Sequence, residues 1–444
     1  MSAQITAART SAETALAETF DAAVSKLPGG ADVKKLREAA FSAFYTAGLP
    51  HRRIEAWHYT DLRALMRAAL PLAAPPSAAA IAALRDELSK SAPAQRLVIV
   101  DGVFVPELSD PLPAGVFVRS LAAALSEGRP EMIALIASQD FGGTDTIVSL
   151  NAALMQDGVV IEVEPGVALA APIRLVYATA LSEPSARYSR SAVVVGAGAS
   201  VHIAEESLGE GARTGQTNGC LIVSVADDAK FQHTAMMTGM APASLRIESL
   251  IARIGARAKF DSFALITGAG VVRRQIFARF EGDGAEGSLR GVSLLRGRQH
   301  ADTTLLVEHL APGCTGRQTF KYVLDEEATG VFQGKINVEK DAQKTDGRML
   351  SKALLLSDNV AMNNKPELEI FADDVACGHG ATCGGLNDDQ LFYLQARGLP
   401  FAEAEALLLE AFAADLLDEF DDEELATPFR AEIARWLSAR GEKA

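Results

Sequence analysis

SAVVVGAGASVHIAEES (191–207), CLIVSVADDAKFQHTAM (220–236) and LIARIGARAKFDSF (250–263) are three versions of one line. Each carries an apolar run, a break at glycine or aspartate, and then a small residue followed two places later by a larger one: Ala199 and Val201, Ala229 and Phe231, Ala258 and Phe260. The spacings are 30 and 29 residues, with weaker echoes at Ala168 and Ala285. Short strands at a near-constant period, with no helix between them, predict a coil whose turns stack and bury their inward side chains in one column. At about 4.8 Å between stacked strands, about six to nine turns give a rod roughly 30 to 40 Å long. An antiparallel sandwich also spaces its strands evenly, so the period by itself leaves both architectures open.

Outside the repeat the texture is helical. ADVKKLREAAFSAFYTAG (31–48) sets Val33, Leu36, Ala40 and Phe44 at helical spacing and stops at Gly48. The Ala/Pro run at 71–80 reads as a connector, IAALRDELSK (81–90) as a short helix, and LVIVDGVFV (97–105) as a hairpin turning at Asp-Gly. After the repeat, DDQLFYLQARG (388–398) and FAEAEALLLEAFAADLLDEF (401–420) predict two helices joined by a tight turn that finish the chain. The expected division is a helical N-terminal domain with a linker and short strands over 1–150, a solenoid core over 151–385 and a helical C-terminal domain over 386–444.

Across 444 residues, 42 basic against 57 acidic side chains give a net charge of -15, which opposes attraction to nucleic acid or anionic lipid. Cys220, Cys314, Cys377 and Cys383 are too few for a disulfide framework, and the start MSAQITAARTSAETAL lacks the basic-then-apolar order of an export signal. A cytoplasmic location is expected. AALPLAAPPSAAAIAAL (68–84) is broken by three prolines and makes a poor membrane span.

Two phosphate-loop lookalikes fail on their chemistry. GDGAEG (282–287) holds Asp283 and Glu286 where a pyrophosphate would sit and leads into no helix. GVFQGKI (330–336) is one residue short and has Ile336 where a magnesium-binding hydroxyl belongs. No nucleotide is expected on this chain. His202 and His233, just beyond the repeated alanines, are expected to be hydrogen-bonded rung residues. No G-x-S-x-G, H-E-x-x-H or Cys-x-x-Cys pattern supports hydrolase, zincin or thioredoxin-like chemistry.

FADDVACGHGATCGGL (371–386) gathers Cys377, His379 and Cys383 into C-x-H-x3-C. Thiolate and imidazole suit zinc, copper and iron–sulfur centres, and in an extended strand the three share one face because their separations are even. Three ligands do not close a structural zinc site. Either Cys220 or Cys314 approaches, or the site is open, or a partner completes it; a buried cysteine beside a hydrogen-bonded histidine is the alternative.

KPELEIFADDVACGHGAT (365–382) with the following DDQLFYLQARG, GLPHRRIEAWHYTDL (48–62), and VFQGKINVEKDAQKTDGRMLSKALLLSD (331–358) resemble, in the same order, three signature blocks of the SufB/SufD family of iron–sulfur cluster assembly proteins. SufB proteins tend to carry H-E-A-[ST] where this chain has His379, Gly380, Ala381 and Thr382, so the resemblance is to the SufD branch. It implies a right-handed parallel β-helix core flanked by helical N- and C-terminal domains. It further implies a scaffold subunit of a SufBCD complex, itself no enzyme. SufB would join through the β-helix, and the ATPase SufC would dock on the C-terminal helices around Leu391, Phe392 and Tyr393. A homodimer is expected when the chain is alone. The family's histidine in C-x-H-G-A-T maps onto His379, beside Cys377, at a transient iron–sulfur cluster shared with SufB. Cys383 departs from the usual apolar residue and is expected to pack. A purely structural interaction subunit, in which His379 only packs, and a β-helix carbohydrate-active enzyme are the competing readings.

Overall fold

The computed structural model describes residues 9–90, 94–137, 145–209, 214–239, 241–420 and 423–441. Residues 1–8, which carry part of the leader reading, lie outside these. From Val159 onward, successive strands alternate between two sheets, so that each step across either sheet skips one strand of the chain. A coil does this when every turn lays one strand on each side. All of these ladders are parallel, which excludes the sandwich; Val271, His300 and Thr329, for example, stack at 29-residue intervals. Eight turns form a parallel β-helix between helical N- and C-terminal regions.

The repeat maps onto the rungs. Val201, Phe231 and Phe260 occupy one ladder, with the two phenyl rings 5.4 Å apart, and Ala199, Ala229, Ala258 and Ala285 are buried at the bend before it. Only small residues fit where the backbone turns inward, and Cys314 continues the row. On the next rung the larger residue gives way to Gly287, because a Cβ there would lie 2.4 Å from the ring of Phe280, which enters from the opposite sheet. His202 and His233 are the expected hydrogen-bonded rungs, His202 Nε2 lying 2.8 Å from Thr234 Oγ1 and His233 Nδ1 lying 2.9 Å from Ser262 Oγ. GDGAEG spans the turn between the strands Val271–Phe280 and Glu286–Leu295, and GVFQGKI lies within the strand Thr329–Val338.

Phe280 stacks at 4.5 Å on His309, whose ring nitrogens are buried without hydrogen-bond partners. Burial pushes the His309 pKa down to about 4, because desolvation penalises the charged imidazolium. The folded pKa lies below the unfolded one, so this residue favours folding fully above about pH 6.5 and loses that contribution as pH falls toward 4. His309→Phe is expected to remove about 3 kcal/mol of the acid sensitivity of stability across that window, read from urea unfolding at a series of pH values. An unchanged pH slope would contradict this assignment.

The two outer faces are covered by the two ends of the chain. Helices Ser11–Ala23, Ala31–Ala47 and Thr146–Leu154 pack on the nine-stranded sheet through Tyr188, Leu245 and Ile247. Gly48 ends the second of these at φ 77°, as its sequence position requires. Helices Phe401–Ala414 and Glu423–Gly441 cover Phe263, Leu265, Val292 and Val323 of the other sheet. The helix Glu423–Gly441 corrects the expectation that two helices finish the chain: Phe429, Ile433 and Trp436 bury one face of a third.

The ends of the β-helix differ. At the N-terminal end short antiparallel strands close the coil: Val103–Phe104 on Arg96–Val100, through a hairpin turn with Asp101 and Gly102 at positive φ, and Val116–Ser120 on Val159–Val163. At the C-terminal end Ala361–Ile370 and Ala376–Gly384 are the last strands of their sheets, and neither contains a buried residue.

Candidate functional site

The C-x-H-x3-C stretch forms the last strand at that open end. Its register on the preceding turn sets Cys377 against Gly347, His379 against Met349 and Cys383 against Ala353. The shared face predicted from the even spacing is therefore present, and it is the luminal face, since Met349 and Ala353 belong to the core and Cys377 packs against it. A shared face is not a shared point. At about 3.3 Å per residue, Cys377 and His379 stand roughly 7 Å apart, within reach of one ion or of neighbouring irons, whereas Cys383 is about 13 Å beyond His379. Among the described residues no three His, Cys, Asp or Glu side chains converge as a metal site.

Cys383 is exposed, and its sulfur accepts a hydrogen bond from Asn364 Nδ2 at 3.1 Å, so the expectation of a packing cysteine is corrected. The strand belongs to the final turn, and among the described residues no further coil covers it. Cys220 and Cys314 do not complete the set. Cys220 is buried with Val148 and Ile251 beneath the helix Thr146–Leu154, and the Cys314 thiol donates to the Gly282 carbonyl at 3.3 Å inside a bend. Cys377 is half-buried, and burial raises its thiol pKa. His379 is exposed.

Near the open end Lys365 of the strand Ala361–Ile370 pairs with Glu55 at 2.7 Å, tying the final turn to GLPHRRIEAWHYTDL. That block holds on through Trp57, which is buried under the Arg273 guanidinium at 3.7 Å from the ring centroid. Arg273 donates to the Ala56 carbonyl at 2.7 Å and pairs with Asp302, which also accepts from Thr60. The block thus anchors the N-terminal region to the β-helix. Ile370 and Phe371 leave apolar surface exposed beside the open end, a feature with no signal in the sequence beyond two adjacent apolar residues. A second apolar surface lies on the helix Asp388–Ala396, where Phe392 is 73% and Tyr393 57% exposed and Leu391 is half-buried, with Phe401 and Leu407 exposed on the next helix.

Residues 177–412, more than half of the chain, match the family model described as the SufBD core domain of SUF system FeS cluster assembly, and residues 28–175 match the SufBD protein N-terminal region. The chain belongs to the SufBD family. It is 31% identical over 396 residues to an iron–sulfur cluster assembly SufBD family protein of Synechocystis, with 86% of each chain covered. It is 29% identical over 393 residues to the iron–sulfur cluster assembly protein SufD of Escherichia coli, covering 88% of this chain and 90% of that one. The chloroplastic protein ABCI7 of Arabidopsis thaliana is 27% identical over 435 residues, with 94% and 89% covered. The two SufBD segments meet at residues 175–177, inside the strand Ile173–Ala178. Among the described residues no helix is long and apolar enough to cross a membrane.

Proposed function

We propose that this SufD-like protein is the non-ATPase scaffold subunit of a cytoplasmic SufBCD complex, joined to SufB through its open end. One observation carries the reading: the last turn of the β-helix is bare and presents His379 and Cys377 on its luminal face, where a second β-helix would close over them. The unpaired backbone of Ala376–Gly384 offers hydrogen bonds to an incoming sheet edge. Two ligands at i and i+2 begin a nascent iron–sulfur cluster and leave its other positions to SufB. Such a divided site can be opened by parting the subunits, which four thiolates on one chain would not allow. The cluster is cargo here, passing through the interface. Without SufB, the same end would be met by a second copy of the chain.

The test is anaerobic co-purification of the chain with SufB and SufC, followed by cluster absorbance. A complex that forms and loads no cluster would leave only the structural reading; failure to recover SufB would remove the open-end interface.

The apolar surface on Asp388–Ala396 is proposed as the SufC docking site. Phe392→Ala is expected to leave the melting temperature unchanged, because the ring is exposed in the isolated chain, and to weaken SufC binding by about 2 to 4 kcal/mol. Titration calorimetry of wild type and variant measures this; equal affinities would place the docking site elsewhere.

A further inference from the structure

The two bare strands are not equally open to pairing. Ala361–Ile370 carries Lys365, Pro366, Glu367 and Glu369, the charges and proline by which natural sheet edges repel a second strand. ACGHGATCG, the strand Ala376–Gly384, has no proline and no acidic or strongly basic side chain, and five of its nine residues are glycine or alanine. It is centred on Gly380, and Cys377 and Cys383 stand three residues to either side of that centre.

This placement has a consequence when the strand meets itself. Antiparallel pairing with the same strand of a second copy, at full overlap, sets Cys377 of each copy directly opposite Cys383 of the other, both on the luminal face. Opposed residues in an antiparallel pair have Cα atoms about 4.5 or 5.5 Å apart. Both distances fall within the range of about 4.4 to 6.8 Å that a disulfide spans. Within one chain the two cysteines are about 20 Å apart along the strand and cannot be joined.

We propose that the open end is a disulfide-forming self-interface, in which two copies pair through Ala376–Gly384 and are locked by two symmetric Cys377–Cys383 bonds. Cys383 is the more exposed thiol and meets the oxidant first. Its thiolate attacks a hydroperoxide, breaking the O–O bond to give a sulfenic acid and, after protonation, water or an alcohol. Cys377 of the other copy then attacks the sulfenyl sulfur, forming the S–S bond and releasing water. Each bond takes two electrons from two thiols and reduces one hydroperoxide. His379 lies between the two cysteines, so the lock shuts the proposed cluster face until a thiol reductant reopens it. The lock rests on the self-pairing of the open end proposed above and adds the Cys377–Cys383 bonds to it; it does not depend on SufB docking.

The experiment uses the purified, reduced full-length chain treated with hydrogen peroxide, followed by non-reducing electrophoresis and peptide mass mapping. The expected product is a covalent dimer, reversed by dithiothreitol, containing the Cys377–Cys383 cross-link. Cys383→Ser and Cys377→Ser should each lower its yield more than tenfold. Mixing the two single variants before oxidation should restore a dimer, because one intact Cys377–Cys383 pair remains. Absence of a covalent wild-type dimer overturns the proposal. So does a dimer that persists in either single variant, which would mean a bond between identical cysteines, and so does failure of the mixture to recover one.

Discussion

His379→Ala is expected to preserve the fold and the partner complex while abolishing, or reducing more than tenfold, cluster assembly in cells that depend on this pathway. The side chain is exposed on the final turn and packs against nothing whose loss would unfold the β-helix. Among the described residues of this strand its imidazole and the Cys377 thiol are close enough to share the proposed iron site, and loss of an iron ligand weakens a site by more than the roughly 10- to 100-fold typical of a supporting residue. Cys377→Ser should be milder, because serine keeps a weaker oxygen donor at the second ligand position, and Cys383→Ser should be nearly silent, because Cys383 lies about 13 Å away along the strand. Complementation of a strain lacking the gene, alongside cluster absorbance of the purified complex, measures all three. Full complementation by His379→Ala with normal cluster content would sink the ligand assignment.

Arg273→Ala is expected to cost about 3 to 5 kcal/mol of folding stability, because it leaves the Asp302 carboxylate buried without its counter-charge. Arg273 and Asp302 are 1% and 0% exposed, and the same guanidinium lies over Trp57 and donates to the Ala56 carbonyl. Adding Asp302→Asn should recover part of the loss by removing the stranded charge. Urea unfolding of the single and double variants decides the matter; a loss under about 1 kcal/mol for Arg273→Ala would mean that the pair does not hold the N-terminal block in place.

The β-helix was legible because its rungs repeat a steric demand. Ala199, Ala229 and Ala258 must be small at the bend, and Val201, Phe231 and Phe260 must fill the column behind it. The echo at Ala285 was faint for a physical reason: Gly287 had exchanged roles with Phe280, and a volume supplied by the opposite sheet leaves no mark at the repeat position. The helix Glu423–Gly441 did carry a signal, with Phe429, Ile433 and Trp436 at helical spacing, but charged residues between them diluted it. At the candidate site, alternation placed Cys377, His379 and Cys383 on one face. It could not report convergence, which depends on distance along the strand. Nor does a periodic sequence reveal whether its final turn is covered, so the exposure of Cys383 came from the structure.

That contrast between a closed N-terminal end and a bare C-terminal one sets a limit on growth. A coil open at both ends would be a monomer of a filament, since every addition would expose a fresh edge like the one just consumed. Among the described residues the opposite end offers a two-residue strand, Val103–Phe104, and a five-residue one, Val116–Ser120, both running antiparallel to the strands they join. Short strands of this kind make poor templates for further pairing. Joining two such bodies through their bare ends therefore uses up the extended edge of each, and the product is a finite pair.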